Sequence, residues 1–359
     1  IIFRPPSGAH QPPFFTVRKG LRRPRTHAIP MKLATLKDGS RDGQLLVVSR
    51  DLGTAHFATG IAQRLQQALD DWNFIAPQLQ DLYDALNHGR ARHPFPFDPA
   101  QCMAPLPRTG QRIEGAAYPN HLQLVQPALA DAPGPLLRQR ASDDLRGPRD
   151  DVQVADEAWG IDFGGELVAI VADVPLGATP EQGLDAVRLL MLANDTTLRQ
   201  WAASPAAQAW GAVASQPATA FSPVAVTPDE LGDAWQDGRV HLTLQTSWNG
   251  RKVGMADAGA DMRWGLGELI AHAARTRRLR AGTLVGTGPV SNAGVEANGR
   301  REWPKGYASV AEKRAMEALQ DGTAQTAYLR FGDTVRIDMR GRDGQPLFGT
   351  IKQKIVQFG

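Results

Sequence analysis

The sequence predicts an α+β protein: a small N-terminal α/β unit, then a larger strand-rich domain with a few helices. Three observations point there. Two short apolar stretches flank an Asp-Gly-rich turn near the start, as in a β-hairpin. Two stretches with helical apolar spacing follow. Beyond about residue 108, strands and helices do not alternate as a regular βα repeat, which argues against a doubly wound sheet.

Residues 1–30 come first and set the charge. They hold Arg4, Arg18, Lys19, Arg22, Arg23 and Arg25, no acid and six prolines. The whole chain has 40 basic and 37 acidic residues, net +3; without those six it holds 34 against 37, or −3. With no hydrophobic period and no apolar signal-peptide core, this stretch reads as a disordered extension or translated upstream sequence. No aromatics interleave with its basic run over 18–25, so nucleic-acid binding is not expected. The globular pattern starts at Met31. Leu33–Leu36 and Leu45–Val48 read as strands; Ile61, Leu65 and Leu69, then Leu79, Leu82, Tyr83 and Leu86, read as helix faces. The Pro-rich stretch 93–107 reads as a linker, giving a small domain over 31–107 and a main domain over 108–359.

In the main domain, Val168, Ile170 and Val174 mark a buried strand, Glu181–Leu192 a helix, and Val240–Thr246 a strand. Leu266, Leu269, Ile270 and Ala273 make a helix face, and Leu284–Val290 a Gly-interrupted strand. Val335, Ile337 and Met339, the turn Asp343-Gly344, and Phe348–Ile351 make a C-terminal hairpin. A length of 359 residues is that of about two domains. Apolar residues at 42% and charged residues at 21% exclude disorder as the main state. No run nears the roughly 18 apolar residues a membrane span needs. The single cysteine, Cys102, excludes an internal disulfide or a cysteine metal cluster and fits a reducing cytosol.

Several polar groupings are candidates for chemistry. Glu114 and His121 lie seven residues apart, with Pro119 suited to a first helical turn; this places His121 in that turn and Glu114 on the loop before it. Asp162, Gly164 and Glu166 share one face if this is a strand; the two carboxylates, about 13 Å apart when it is extended, share an ion only if the chain bends and otherwise form a charged solvent edge. Asn194-Asp195-Thr196-Thr197-Leu198-Arg199 follows an apolar element, where Asp195 suits a hard cation and Arg199 a carboxylate. Ser309 and Glu312 fit a capping box, which accounts for Glu312 without catalysis. Gly286 and Gly288 make a GxG without the rest of a nucleotide-binding pattern. His272 sits in an apolar helix as a structural residue, and Gly-Xaa-Ser-Xaa-Gly is absent.

Four separated phrases, Trp159-Gly-Ile-Asp162, Asn194-Asp195 with Leu198-Arg199, Pro217-Ala-Thr-Ala-Phe-Ser-Pro223 and Ala311-Glu312-Lys313-Arg314, occur in one order. Together they resemble the fumarylacetoacetate hydrolase family, in its bacterial branch, over about Met31–Val356. The resemblance implies a mixed β-roll or β-sandwich preceded by a small α/β domain, and a cytoplasmic homodimer that binds neither membrane nor nucleic acid. It also implies Mg²⁺, Mn²⁺ or Ca²⁺ on carboxylates and cleavage of a carbon–carbon bond in an acylpyruvate-like dicarbonyl acid. Relatives decarboxylate, hydrate or isomerise similar acids. Carried over, the metal ligands fall on Glu114, Glu166 and Asp195, the base on His121 and its orienting carboxylate on Glu312. Arg199, Tyr118, Gln216 and Arg138 fall on the substrate side.

Departures from the pattern cluster at this site. Gly164 stands for the first glutamate of a Glu-x-Glu pair, Glu114 for aspartate, Gln216 for lysine, Pro289 for threonine and Arg138 for tyrosine. Two accounts follow. One is an enzyme with altered ligands, in which Asp162 or water fills the vacant position. The other is a degenerate paralogue that binds a metabolite or partner, silent until Gly164→Glu and Gln216→Lys restore the pattern.

Overall fold

The structure is a computed structural model and describes residues 30–211, 213–297 and 299–358; the expected basic extension therefore lies outside the described residues, apart from Pro30. Strands β1 (Lys32–Leu36), β2 (Gln44–Val48) and β3 (Thr54–Phe57) form a meander, followed by helices α1 (Leu65–Asp70) and α2 (Trp72–Asn87). The stretch 93–107, expected as a linker, is packed. Strand β4 (Phe95–Pro96) pairs with β3, and Cys102, Ala104 and Leu106 are buried. Its prolines erase any period, so its apolar side chains reach the core one by one from irregular chain.

Next come β5 (Arg112–Gly115), α3 (Pro119–Val125), β6 (Leu137–Arg140), β7 (Val152–Val154), β8 (Ile161–Asp162) and β9 (Gly165–Val171). Helix α4 (Pro180–Asp185) leads into β10 (Val187–Asn194). The single helix expected over Glu181–Leu192 is thus a short helix and a strand. Thr179 and Gln182 form a capping box that starts α4. Seven of the eight β10 residues are buried between neighbouring strands, and such a strand reads as a continuous apolar run that periodicity cannot tell from a helix. Then follow β11 (Thr197–Leu198), α5 (Arg199–Ala202), α6 (Pro205–Trp210), β12 (Ala220–Phe221), β13 (Val224–Val226), β14 (Trp235–Gln236), β15 (Arg239–Val240) and β16 (Thr243–Trp248). The chain continues through β17 (Arg251–Asp257), α7 (Leu266–Ala273), β18 (Leu284–Pro289), β19 (Val295–Ala297) and β20 (Arg300–Glu302). Helix α8 (Val310–Asp321) and the hairpin of β21 (Thr334–Arg340) and β22 (Pro346–Gln357) complete it.

The main sheet has 11 strands in the order β4-β3-β2-β1-β13-β10-β9-β18-β5-β6, with β12 also on β10. Its β1–β13 pairing carries the N-terminal meander into the sheet of the larger domain. A second sheet of five strands runs β17-β16-β21-β22-β7. Alternation along β9 shows the layering. Val168 and Ile170 pack with Leu65, Leu69 and Leu79 of the helices, while Leu167, Ala169 and Val171 share a core with Leu244, Ile337 and Ile351 of the second sheet. Helices, large sheet and small sheet make three layers of an α+β fold.

One buried lysine fastens these layers. The Nζ of Lys32, 1% exposed, donates to the Pro346 carbonyl at 2.7 Å and lies 3.8 Å from Glu230, whose carboxylate also accepts the Tyr83 hydroxyl at 3.0 Å. Burial lowers the Lys32 pKa from 10.5 to about 8, against the opposing pull of Glu230. Between those two values the unfolded chain binds more protons, so this residue makes stability rise with pH, by about 3 kcal/mol across the window. Urea midpoints measured from pH 8 to 10 are expected to climb in the native protein and to lose that slope in Lys32→Met.

Candidate active site

Strand alternation puts Arg112 and Glu114 on one face of β5. The register pairs Arg112 with Arg140 and Glu114 with Arg138, so both arginines of β6 share that face. On the other side of β5, β18 sets Gly286 beside Glu114. A Cβ at Gly286 would lie 3.0 Å from Glu166 Oε2, so this glycine clears the space that the β9 carboxylate enters. Asp195 follows the end of β10, where Asn194 pairs with Gly165. Glu114, Glu166 and Asp195 thereby converge, each with a carboxylate oxygen within 4.8 Å of the others, and all three are buried.

The triad is not alone. Asp195 Oδ1 accepts from Arg112 Nη2 at 2.9 Å and from the Thr219 hydroxyl at 2.7 Å, and its Oδ2 accepts from Arg140 Nη2. Glu114 Oε1 accepts from Arg138 Nη2 at 2.6 Å, and its Oε2 faces Arg140 Nε at 3.1 Å. Neither oxygen of Glu166 has a hydrogen-bond partner among the described residues. Burial, then the charges of Glu114 and Asp195, push the Glu166 carboxyl well above the usual carboxylate range. Burial acts the same way on Asp195, but Arg140, Arg112 and Arg138 outweigh it and hold this carboxyl well below that range. Bare buried carboxylate oxygens on Glu166 suit a hard divalent cation, which takes oxygen ligands. The donor set thus fits such an ion, with guanidinium groups as close neighbours.

A second cluster lies on α3 and α8. Pro119 opens α3, and His121 stands in its first turn as the spacing predicts. Glu114, expected on the preceding loop, is in β5. His121 Nδ1 lies 2.7 Å from Glu312 Oε1, and Glu312 Oε2 accepts the Ala308 N–H at 2.8 Å. Ser309 caps α8 by accepting the Glu312 N–H at 3.2 Å. The expected capping box is therefore half present. Its serine caps the helix, while the fully buried Glu312 carboxylate turns to His121 instead of the N-cap N–H.

Other expected residues lie differently. Asp162 neither fills a metal position nor forms a solvent edge. It is fully buried and accepts from the Val310 N–H at 2.6 Å, the Ala311 N–H at 3.1 Å and Arg199 Nε at 2.8 Å. The break between β8 and β9 separates it from Glu166, because the two ends of this stretch belong to different pairings. The Tyr118 hydroxyl, expected on the substrate side, is turned to protein: the residue is 1% exposed and donates to the Ala258 carbonyl at 2.7 Å. Gln216 is half-buried after a helical turn at Val213–Ser215. Sequence reasoning missed Arg112, Arg140 and Thr219. The signal for the arginines was present as Arg-x-Glu and Arg-x-Arg, which alternation places on one sheet face.

Residues 113–356 match the family profile described as "Fumarylacetoacetate (FAA) hydrolase C-terminal", and residues 31–108 match "Fumarylacetoacetase N-terminal domain 2". The chain belongs to the fumarylacetoacetate hydrolase family. Its fold is shared with solved members. A probable 2-hydroxyhepta-2,4-diene-1,7-dioate isomerase from Mycobacterium abscessus superposes with a TM-score of 0.65 at 19% identity, over 92% of this chain and 99% of that one. A fumarylacetoacetate hydrolase from Exiguobacterium antarcticum gives 0.63 at 18%, over 91% and 100%. Maleylpyruvate hydrolase from Sphingobium sp. SYK-6, solved with manganese(II) and pyruvate, gives 0.61 at 18%, over 92% and 100%. No curated protein matches the chain.

The family resemblance makes Gly164 the sharpest departure, and the structure shows what now occupies its surroundings. A Cβ there would lie 2.9 Å from the Asp195 carbonyl and 3.5 Å from the Pro289 ring. The Gly164 carbonyl accepts the Asp195 N–H at 2.8 Å, and its N–H donates to Asn194 Oδ1 at 3.2 Å. Two departures, Gly164 and Pro289, therefore meet, and backbone fills the place of the missing side chain. Gly164→Glu is expected to destabilise by about 1–3 kcal/mol through overpacking, seen as a lower urea midpoint, rather than to restore the family site by itself.

Proposed function

We propose that this protein is a fumarylacetoacetate hydrolase-family enzyme that cleaves a carbon–carbon bond in a small acylpyruvate-like dicarbonyl acid. The observation that carries the reading is the His121–Glu312 pair, 2.7 Å apart at the capped start of α8, with the other carboxylate oxygen held by the Ala308 N–H. Glu312, held by the Ala308 N–H, accepts the Nδ1 proton and leaves Nε2 as the basic nitrogen. Nε2 then takes a proton from water as that water attacks a carbonyl; the adjacent carbon–carbon bond breaks with its electron pair leaving on the enolate fragment, which takes the proton back from Nε2. Arg199, fixed by Asp162 through Nε, offers its Nη atoms to the substrate carboxylate. Arg138 and Gln216 offer further polar contacts.

Glu114, Glu166 and Asp195 would hold a divalent cation, Mg²⁺, Mn²⁺ or Ca²⁺, which when bound polarises keto and enol oxygens as a Lewis acid. The manganese of the Sphingobium relative supports this reading. A cytoplasmic homodimer completes the proposal. Protein beginning at Met31 is to be mixed with a panel of acylpyruvates, with Mg²⁺ or Mn²⁺ and with chelator. Metal-dependent loss of enol absorbance is expected. Absence of loss across the panel, from folded protein, would favour the second reading, a binding paralogue, to which the guanidinium groups on the triad lend support.

A further inference from the structure

Charge decides what the acidic triad holds. Glu114 and Asp195 face three guanidinium groups, those of Arg112, Arg138 and Arg140, with Glu166 completing the triad beside them. These guanidinium groups already match or exceed the negative charge before any ion enters, so a divalent cation would add uncompensated positive charge in a buried place, where charge is costly. Arg140 is the central group. Its side chain is 0% exposed and bridges Glu114 and Asp195, two of the three triad members. The fit is imperfect, since Arg140 Nη1 has no hydrogen-bond acceptor among the described residues. Its strand, β6, is the outermost of the main sheet and, among the described residues, pairs only with β5. Like charges opposite one another on neighbouring strands repel, so the Arg112–Arg140 pair is held by Asp195 between them.

We propose that Arg140 is the resident cation of the triad, and that a divalent ion binds only by displacing its guanidinium. Metal binding is then an exchange of one cation for another, and weak in the native chain. This rests on reading the triad as a cation site, and binding is measured apart from turnover.

The test is titration with Mn²⁺, followed by loss of the free-ion electron paramagnetic resonance signal. Expected are weak binding by the native chain and by Arg140→Lys, binding at least tenfold tighter in Arg140→Gln, and loss of that gain in Arg140→Gln with Glu166→Gln. Equal affinity of native protein and Arg140→Gln would overturn the proposal. A wild-type measurement stands even if Arg140→Gln fails to fold. A rise of several degrees in the native Tm with 0.1 mM Mn²⁺, lost in Glu166→Gln, would overturn the proposal, and an unmoved Tm would support it. Tight Mn²⁺ binding by Arg140→Gln, with no acylpyruvate turnover by the native chain at saturating Mn²⁺, would sink the proposed activity and leave the exchange intact.

Discussion

His121→Ala is expected to lower kcat/KM on the best acylpyruvate by about 10²- to 10⁴-fold, the range a positioned general base contributes. The loss should fall on kcat, because His121 acts on water and not on the bound acid's carboxylate. The alanine variant also leaves a buried Glu312 oxygen without its partner, which costs about 1–3 kcal/mol. His121→Gln separates the two effects, since its amide can donate to Glu312 yet cannot serve as a base. Equal loss of kcat in both variants, with thermal stability kept in the glutamine one, is the expected pattern. A glutamine variant that turns over at the native rate would remove His121 from the chemistry. Glu312→Gln, which keeps the shape, should give a smaller loss in kcat, because its one amide oxygen can still accept from His121 Nδ1 while the charge-assisted hydrogen bond is lost.

Much of this arrangement is written in local sequence, and the rest depends on what strands meet. Pro119 places His121 in a first helical turn on stereochemistry alone, and the structure agrees. The convergence of Glu114, Glu166 and Asp195 entered through a family resemblance; spacing of 52 and 29 residues between them says nothing about distance. They meet because β5, β18, β9 and β10 are neighbours in one sheet, with Gly286 leaving room between. Asp162 shows the opposite failure. Reading residues 159–171 as one strand put it on a face with Glu166, but the chain breaks at Phe163-Gly164 and hands Asp162 to α8. The buried run of β10 was misread as helix for want of any polar face to set a period. Arg112 and Arg140 were legible in principle, yet their meaning depends on Asp195, which arrives from a different strand.

Asp162→Ala is expected to be the most damaging single change to stability. The carboxylate is fully buried, accepts two backbone N–H groups at the start of α8, and pairs with Arg199. Removing it strands an arginine that is 15% exposed and leaves the N-terminus of the helix without its anion. Breaking a buried pair in this way costs about 3–5 kcal/mol, readable as a drop in urea midpoint at unchanged m-value. Asp162→Asn keeps the shape and one of the two acceptor oxygens, so it should cost less, about 1–3 kcal/mol. The functional consequence divides cleanly, because Asp162 holds two things. It fixes the first turn of α8, from which Glu312 reaches His121, and it orients Arg199. If Arg199 binds the substrate carboxylate, Arg199→Met raises KM, and Asp162→Asn raises KM and lowers kcat together. If Arg199 serves Asp162 alone, Arg199→Met lowers stability and leaves KM unchanged. In that case a double-mutant cycle between the two residues reports coupling in stability only.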